Sequence, residues 1–279
     1  MADTETTPAH LAPSELGTKE YWDKLYTAEL SNHADNPADE GTVWFDDADA
    51  ERKMVEFLEE RASSPAALAL DRETARVLDL GCGNGSLLFA LRERAGWKGR
   101  LLGVDYSERS VQLARQVGAA RGMGEVEFKV WDVLGGELAD VAAEMSPSET
   151  AAAAQEGRGK GATKTAAATA AGPGWDLVLD KGTFDAVSLS GERDARGRRI
   201  CEGYAERVLQ LLRAGGIFLV TSCNWTEKEL REWFEGGTVA TQGVRLRLRL
   251  AGRIEYPSFS FGGVKGQTTS TLCFEKVAV

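Results

Sequence analysis

The chain has 279 residues, 43% of them hydrophobic and 27% charged, and a net charge of -10. That length allows one large domain or two small ones, and the composition suits a globular protein with an apolar core. The acidic balance offers no basic field for direct nucleic-acid binding, and no run of 18 apolar residues could span a membrane.

The N-terminal MADTETTPAHLAPSELG is polar and acidic, without the basic and apolar regions of a signal peptide. Residues 1–17 are expected to form a disordered tail ahead of one domain over 18–279. KEYWDKLYTAEL then places Tyr21, Trp22, Leu25, Tyr26 and Leu30 near one face of a helix. SNHADNPADEGT reads as a loop. VWF leads into a second helix, DDADAERKMVEFLEERA, with Asp46 or Asp47 as its cap.

A strand–helix alternation follows. ARVLDL (75–80) is a strand running into GCGNG, and SLLFALRERAG is a helix. RLLGVD (100–105) is a strand, followed by a helix capped by Ser107. EVEFKVWDV (125–133) and WDLVLD (175–180) are strands. EGYAERVLQLLRAGG is a helix ending at a glycine pair, and IFLVTSCN (217–224) a strand. TEKELREWFEGG is a helix with Thr226 and Glu229 placed for a capping box. VRLRLRLAG (244–252) and TTSTLCFEKV (268–277) close the chain as two strands. In the first of these, Leu246, Leu248 and Leu250 face inward and the arginines outward, as in a half-buried antiparallel strand. Repeated strand–helix units imply a mostly parallel sheet with helices on both faces, here with an antiparallel hairpin at one edge and a helical cover from the N-terminus. Between the third and fourth strands, residues 145–173 are rich in Ala, Gly, Thr and Ser and poor in large apolar residues. They are expected to be a flexible low-complexity insertion.

The four cysteines (Cys82, Cys201, Cys223, Cys273) form no CxxC pair, which argues against zinc and disulfides and fits a reducing compartment. With only His10 and His33 as histidines, no metal site is expected. Three stretches carry chemistry on their residues alone. In VLDLGCGNG, Gly81, Gly83 and Gly85 let the backbone approach a ligand after a strand that carries Asp79. The spacing is neither the dinucleotide fingerprint nor the phosphate loop. In GVDYS, Asp105 ends the next strand about twenty residues beyond the glycine turn, where a carboxylate can accept both ribose hydroxyls or can cap the following helix. This supports adenosine binding without separating a nicotinamide from a sulfonium cofactor. Tyr106 could pack beside the adenine or serve as surface packing. In DKGTFD, Thr183 and Asp185 suit a helix N-terminus, where an acid complements the dipole.

LGTKEYWDKLYTAEL, DEGTVWF, VLDLGCGNG, GVDYS, LVLDKGTFDAVSL, FLVTSCNWTEKEL and FSFGG follow one another in an order that resembles the eukaryotic elongation factor 1-alpha lysine methyltransferases. The resemblance covers most of residues 16–277 and leaves out the tail and the insertion. It implies a Rossmann-like, seven-stranded class I methyltransferase sheet and an S-adenosyl-L-methionine-dependent protein-lysine N-methyltransferase. Translation elongation factor 1-alpha would be its protein substrate, in the cytoplasm, with the enzyme a monomer. It also implies that the loop Gly81, Cys82, Asn84 and Gly85 with Gly83 at its centre holds the amino acid part of the cofactor, and that Asp79 positions the ammonium. Asp132 and the N–H of Val133 would meet the adenine and Trp131 would wall it, although Asp132 competes as a helix cap.

Base-directed amino methylases of this fold carry a Pro-Pro motif at DKGTFD, and cytosine methylases carry a Pro-Cys nucleophile. Both are absent, which favours protein or small-molecule acceptors. Asp180 is expected to orient the amine or the cofactor ammonium. Lys181 is placed in a salt bridge or an acidic surface contact ahead of direct catalysis. Trp22, Tyr26, Trp44, Phe45, Phe184 and Trp225 are candidates for the walls of a lysine channel, with core packing as the alternative for each, and Phe261 for its rim. A small-molecule N- or O-methyltransferase is the competing function.

Overall fold

The computed structural model describes residues 8–63, 70–143, 174–241, 244–257, 259–261, 264–266 and 268–279. The expected insertion at 145–173 and residues 1–7 of the expected tail lie outside the described residues. Helix α1 (Lys19–Asp35) begins where the Thr18 hydroxyl accepts the Tyr21 N–H, and it continues through residues 31–35, which had read as loop. Asp46–Ala48 forms a 3-10 turn between two left-handed residues, Phe45 and Asp49, so α2 (Ala50–Ser63) starts later than the acidic run suggested. The next elements are β1 (Val77–Leu80), α3 (Ser86–Glu93), β2 (Leu101–Asp105), α4 (Glu108–Ala120) and β3 (Glu127–Val130). Ser107 caps α4 as expected, accepting the Ser110 N–H.

The second half contains β4 (Trp175–Lys181), α5 (Thr183–Ser188), α6 (Tyr204–Leu211), β5 (Leu212–Ser222), α7 (Glu227–Glu235), β6 (Thr238–Thr241) and β7 (Val244–Ile254), then the hairpin β8 (Phe259–Phe261) and β9 (Val264–Gly266), and finally β10 (Ser270–Ala278). The capping box at Thr226 and Glu229 opens α7 as the sequence implied. Helix α6 stops at Leu211 rather than at the glycine pair. Lys276 donates to the carbonyls of Leu209 and Leu212, both at 2.6 Å, and so closes the helix end while β5 begins ahead of Gly215.

The strand order is β3-β2-β1-β4-β5-β10-β7-β6. The first five run parallel, and β10, β7 and β6 pair antiparallel at the far edge. The main sheet therefore has eight strands, not seven. The extra one, β6, is four residues long and pairs with β7, which turns the expected edge strand into an interior one.

Apolar side chains alternate across the sheet into two cores. Val77, Leu177, Leu179 and Ile217 meet Met54, Leu58, Leu87 and Leu113 on one face. Leu78, Val178, Phe218 and Val220 meet Phe184, Tyr204, Leu230 and Phe234 on the other. At the amino ends of β1 and β4, Asp176 accepts the Arg76 N–H at 2.8 Å and its Nε at 3.0 Å, and also pairs with Arg213. The chain winds outward from β1 in two directions, toward β2–β3 and toward β4–β5. Ligands in such sheets sit outside the carboxyl ends of the strands at this reversal.

Residues 8–17, expected within a disordered tail, are instead held against the body of the fold. The Ser14 N–H donates to Leu189 O, Arg199 donates to Leu11 O, and the His10 ring stacks on Trp233.

Candidate active site

A cavity of about 400 Å³ lies across the carboxyl ends of β1, β2, β4 and β5, under α1 and the Trp44–Phe45 segment. That volume is in the range of small-molecule sites, ~300–1,000 Å³. Its β2–β3 end is lined by Asp105, Tyr106, Trp131, Asp132 and Val133, its centre by Gly81, Lys181, Gly182 and Thr183, and its β4–β5 end by Asp185, Cys223 and Asn224. Trp22, Tyr26, Trp44 and Phe45 form the roof.

The glycine loop is built for close approach. Gly81 has φ +62, and a Cβ there would lie 2.1 Å from Thr183 Oγ1. That hydroxyl donates to Leu80 O at 2.6 Å, so it cannot step aside without losing its own bond. Gly83 has φ +56, and its missing Cβ leaves room for the Tyr26 hydroxyl. Asp105 is buried at the end of β2. Its carboxylate accepts the Ser107 N–H at 2.9 Å, the Ser110 hydroxyl at 2.8 Å and the Gly83 N–H at 3.3 Å. Burial pushes its pKa up, and these three donors pull it back. Helix α1 is fastened to the same corner, because Ser107 donates to Asp23 at 2.6 Å.

Other residues singled out from the sequence act from behind this wall. Asn84 donates to Glu40 O at 2.9 Å and so ties the loop to the covering segment. Cys82 is buried against Gly103, and Gly85 packs on Phe128. Asp79 is buried next to Lys181. Burial pushes the Asp79 carboxyl up, with the Lys181 charge opposing, and pushes the Lys181 ammonium down. Lys181 also donates to Trp44 O at 3.0 Å. It therefore holds the aromatic roof by an internal bond and sits beside the buried Asp79, an internal pairing rather than an acidic surface contact.

Three expectations are corrected. Asp180 does not face the cavity. Fully buried, it accepts the N–H groups of Thr183 at 2.8 Å and Phe184 at 3.1 Å and the Tyr204 hydroxyl at 2.6 Å. It takes the first N–H groups of α5 from behind the Gly182 N-cap, because strand alternation turns it to the Val178 face. Phe184 and Trp225 likewise belong to the aromatic core with Tyr204, Trp233 and Phe234. Phe261 lies in β8, and its side chain is outside what the structure describes. Asp185, Cys223 and Asn224 also line the cavity, beyond the residues that the sequence points to.

Burial pushes Asp180 up to about 7, against the hydrogen bonds from Tyr204, Phe184 and Thr183 that favour its ionised form. The unfolded value is ~3.9, so the folded state binds the extra proton between these limits. The resulting stabilisation is complete below pH ~4 and is lost as the pH rises through about 7. Asp180→Asn should flatten that part of the stability profile, and urea unfolding of both proteins between pH 4 and 8 checks it.

A parallel sheet with an antiparallel edge, a glycine turn, an acid at the end of β2 and a cavity across the strand ends fit a class I methyltransferase, an enzyme whose methyl donor is S-adenosylmethionine. A methyltransferase-domain family model matches residues 71–146. The chain is 37% identical to protein-lysine N-methyltransferase EFM4 of Saccharomyces cerevisiae, over 96% of this chain and 97% of that one. It is 37% identical to efm4 of Schizosaccharomyces pombe, over 95% of each. It is 29% identical to EEF1A lysine methyltransferase 2 of Homo sapiens, over 95% of this chain and 88% of that one. The chain belongs to this family of protein-lysine N-methyltransferases. Among the described residues no helix is long and apolar enough to cross a membrane.

Proposed function

We propose that the chain transfers a methyl group from S-adenosylmethionine to a lysine ε-amine of translation elongation factor 1-alpha, acting as a monomer in the cytoplasm. The observation that carries this reading is the cavity, which has an adenosine-type end at Asp105 and an aromatic-roofed acceptor end at β4–β5. It is supported by the near full-length similarity to relatives named for lysine methylation, one of them for EEF1A.

In this reading the cofactor supplies a methyl group on a sulfonium, and the residues of the chain bind and orient. Asp105 accepts the ribose hydroxyls, and the glycine loop gives backbone access to the amino acid part. Tyr106, Trp131, Asp132 and Val133 surround the adenine. Gly83 contributes through its N–H to Asp105 and its carbonyl to Ser110. Cys82, Asn84 and Gly85 hold the loop in shape, and Asp79 with Lys181 holds the floor beneath it. Trp22, Tyr26, Trp44 and Phe45 exclude water from the acceptor and offer ring faces to an ammonium or methylammonium.

A free lysine, pKa ~10.4, is only ~0.04% neutral at pH 7. A dry aromatic channel lowers that pKa by disfavouring the charged form, and the proton leaves to water before attack. Alignment of amine and methyl group can contribute ~7–11 kcal/mol in well-oriented reactions. Labelled methyl transfer into a cell lysate tests the acceptor class. Label in protein is expected, and label confined to the metabolite fraction would point to a small-molecule methyltransferase instead.

A further inference from the structure

The cavity contains one buried acid that the cofactor site does not use. Asp185 lies at the β4–β5 end, 5% exposed, on the first turn of α5 but without any share in capping it. Asp180 already accepts the N–H groups that open that helix. The Asp185 carboxylate is instead fixed from β5 and the turn beyond it. Oδ1 accepts the Ser222 hydroxyl, and Oδ2 accepts the Cys223 N–H at 2.8 Å and the Cys223 thiol at 3.4 Å.

All of these donors are neutral, and no Lys, Arg or His pairs with Asp185 among the described residues. A thiol is a weak donor, easily displaced by a charged one. Burying a carboxylate without a cation is costly, and burial here pushes the pKa up. Such a group gains most when a cation arrives in the cavity.

The other acids of the cavity are placed differently. Asp105 is also buried and held by three neutral donors, but it lies at the β2 end of the cavity, where the ribose is placed. Asp132 accepts the Leu134 N–H at the end of β3, and its side chain is exposed. Glu192 is exposed at the rim. Among the described acids that line the cavity, only Asp185 is both buried and at the β4–β5 end, which it shares with the exposed Asn224.

We propose that Asp185 is the substrate-binding residue that receives the acceptor lysine: its carboxylate pairs with the incoming ε-ammonium, and Ser222 and the Cys223 N–H hold it in place. This rests on the lysine-methylation reading of the same site. The pairing draws the charged lysine in and opposes the effect of the dry channel on its pKa, so the ammonium first gives its proton to water, and the amine then attacks as the N–C bond forms and the S–C bond breaks. The sulfur keeps the electron pair of the broken bond.

The test is Asp185→Asn, which keeps size and an acceptor for the Cys223 N–H and leaves the α5 cap untouched. S-adenosylhomocysteine affinity, by calorimetry, is expected within twofold of wild type. The value of kcat/KM on elongation factor 1-alpha is expected to fall at least ~30-fold, as when one partner of a buried charge pair is removed. Equal kcat/KM in variant and wild type would overturn the proposal and leave the function standing. If wild type itself fails to methylate the factor, the functional reading falls, and sinefungin decides on Asp185. This analogue carries an amine at the methyl position. The wild-type preference for sinefungin over S-adenosylhomocysteine should shrink at least ~30-fold in the variant. An unchanged preference overturns the proposal.

Discussion

Gly81→Val is expected to lower the affinity for S-adenosylhomocysteine at least ~30-fold, from two costs of ~1–3 kcal/mol each, overpacking and a left-handed β-branched residue. The added Cβ would sit 2.1 Å from Thr183 Oγ1, in a backbone conformation with φ +62. Thr183 is anchored to Leu80 O on one side and to the Asp180 carboxylate on the other. The strain can then be relieved only by moving the loop into the cavity that it lines. Calorimetry reads the loss directly. An unchanged dissociation constant would mean that the turn is structural and that the cofactor lies elsewhere.

Asp176→Ala should have the largest effect on stability, ~3–5 kcal/mol, as expected when one member of a buried ion pair is removed. Asp176 is the acceptor for both Arg76 and Arg213, and the Arg76 side chain is only 5% exposed. Alanine takes the Asp176 carboxylate away from two guanidiniums, that of Arg76 being buried. At ~2–4 °C per kcal/mol for a domain of roughly this size, the melting temperature should drop by about 10 °C. The cluster lies at the amino ends of the strands, away from the cavity, so cofactor affinity should be retained. A drop of less than 2 °C would show that the pair contributes little to the fold.

Much of the architecture was legible because each signal had a local physical cause. The strand ends at Leu80 and Asp105, the Ser107 cap and the Thr226–Glu229 box all depend on neighbours in sequence. What failed depended on partners far along the chain. Strand β6, TVAT, is too short to stand out by periodicity and exists because β7 pairs with it. The early start of β5 depends on Lys276, more than sixty residues away, closing α6.

The site shows the same division. Asp105 and the glycine turn could be located from the strand ends alone. The orientation of Asp180 is written in its strand. Period-two alternation in WDLVLDK puts Asp180 with Val178 and Lys181 with Leu177 and Leu179, so the lysine and the acid turn to opposite faces. Phe184 and Trp225 had aromatic character suited to a channel, but only the packing of α5 and α7 shows them in the core. Asp185 gave no local sign, because its cavity position comes from its bonds to Ser222 and Cys223, about forty residues on.

The most direct test of the central claim is to incubate the purified chain with elongation factor 1-alpha and isotopically labelled S-adenosylmethionine, then map the product by mass spectrometry. Label is expected on a lysine ε-amine of the factor, and none when the chain carries Gly81→Val. Label absent from the factor, in the presence of normal cofactor binding, would contradict it.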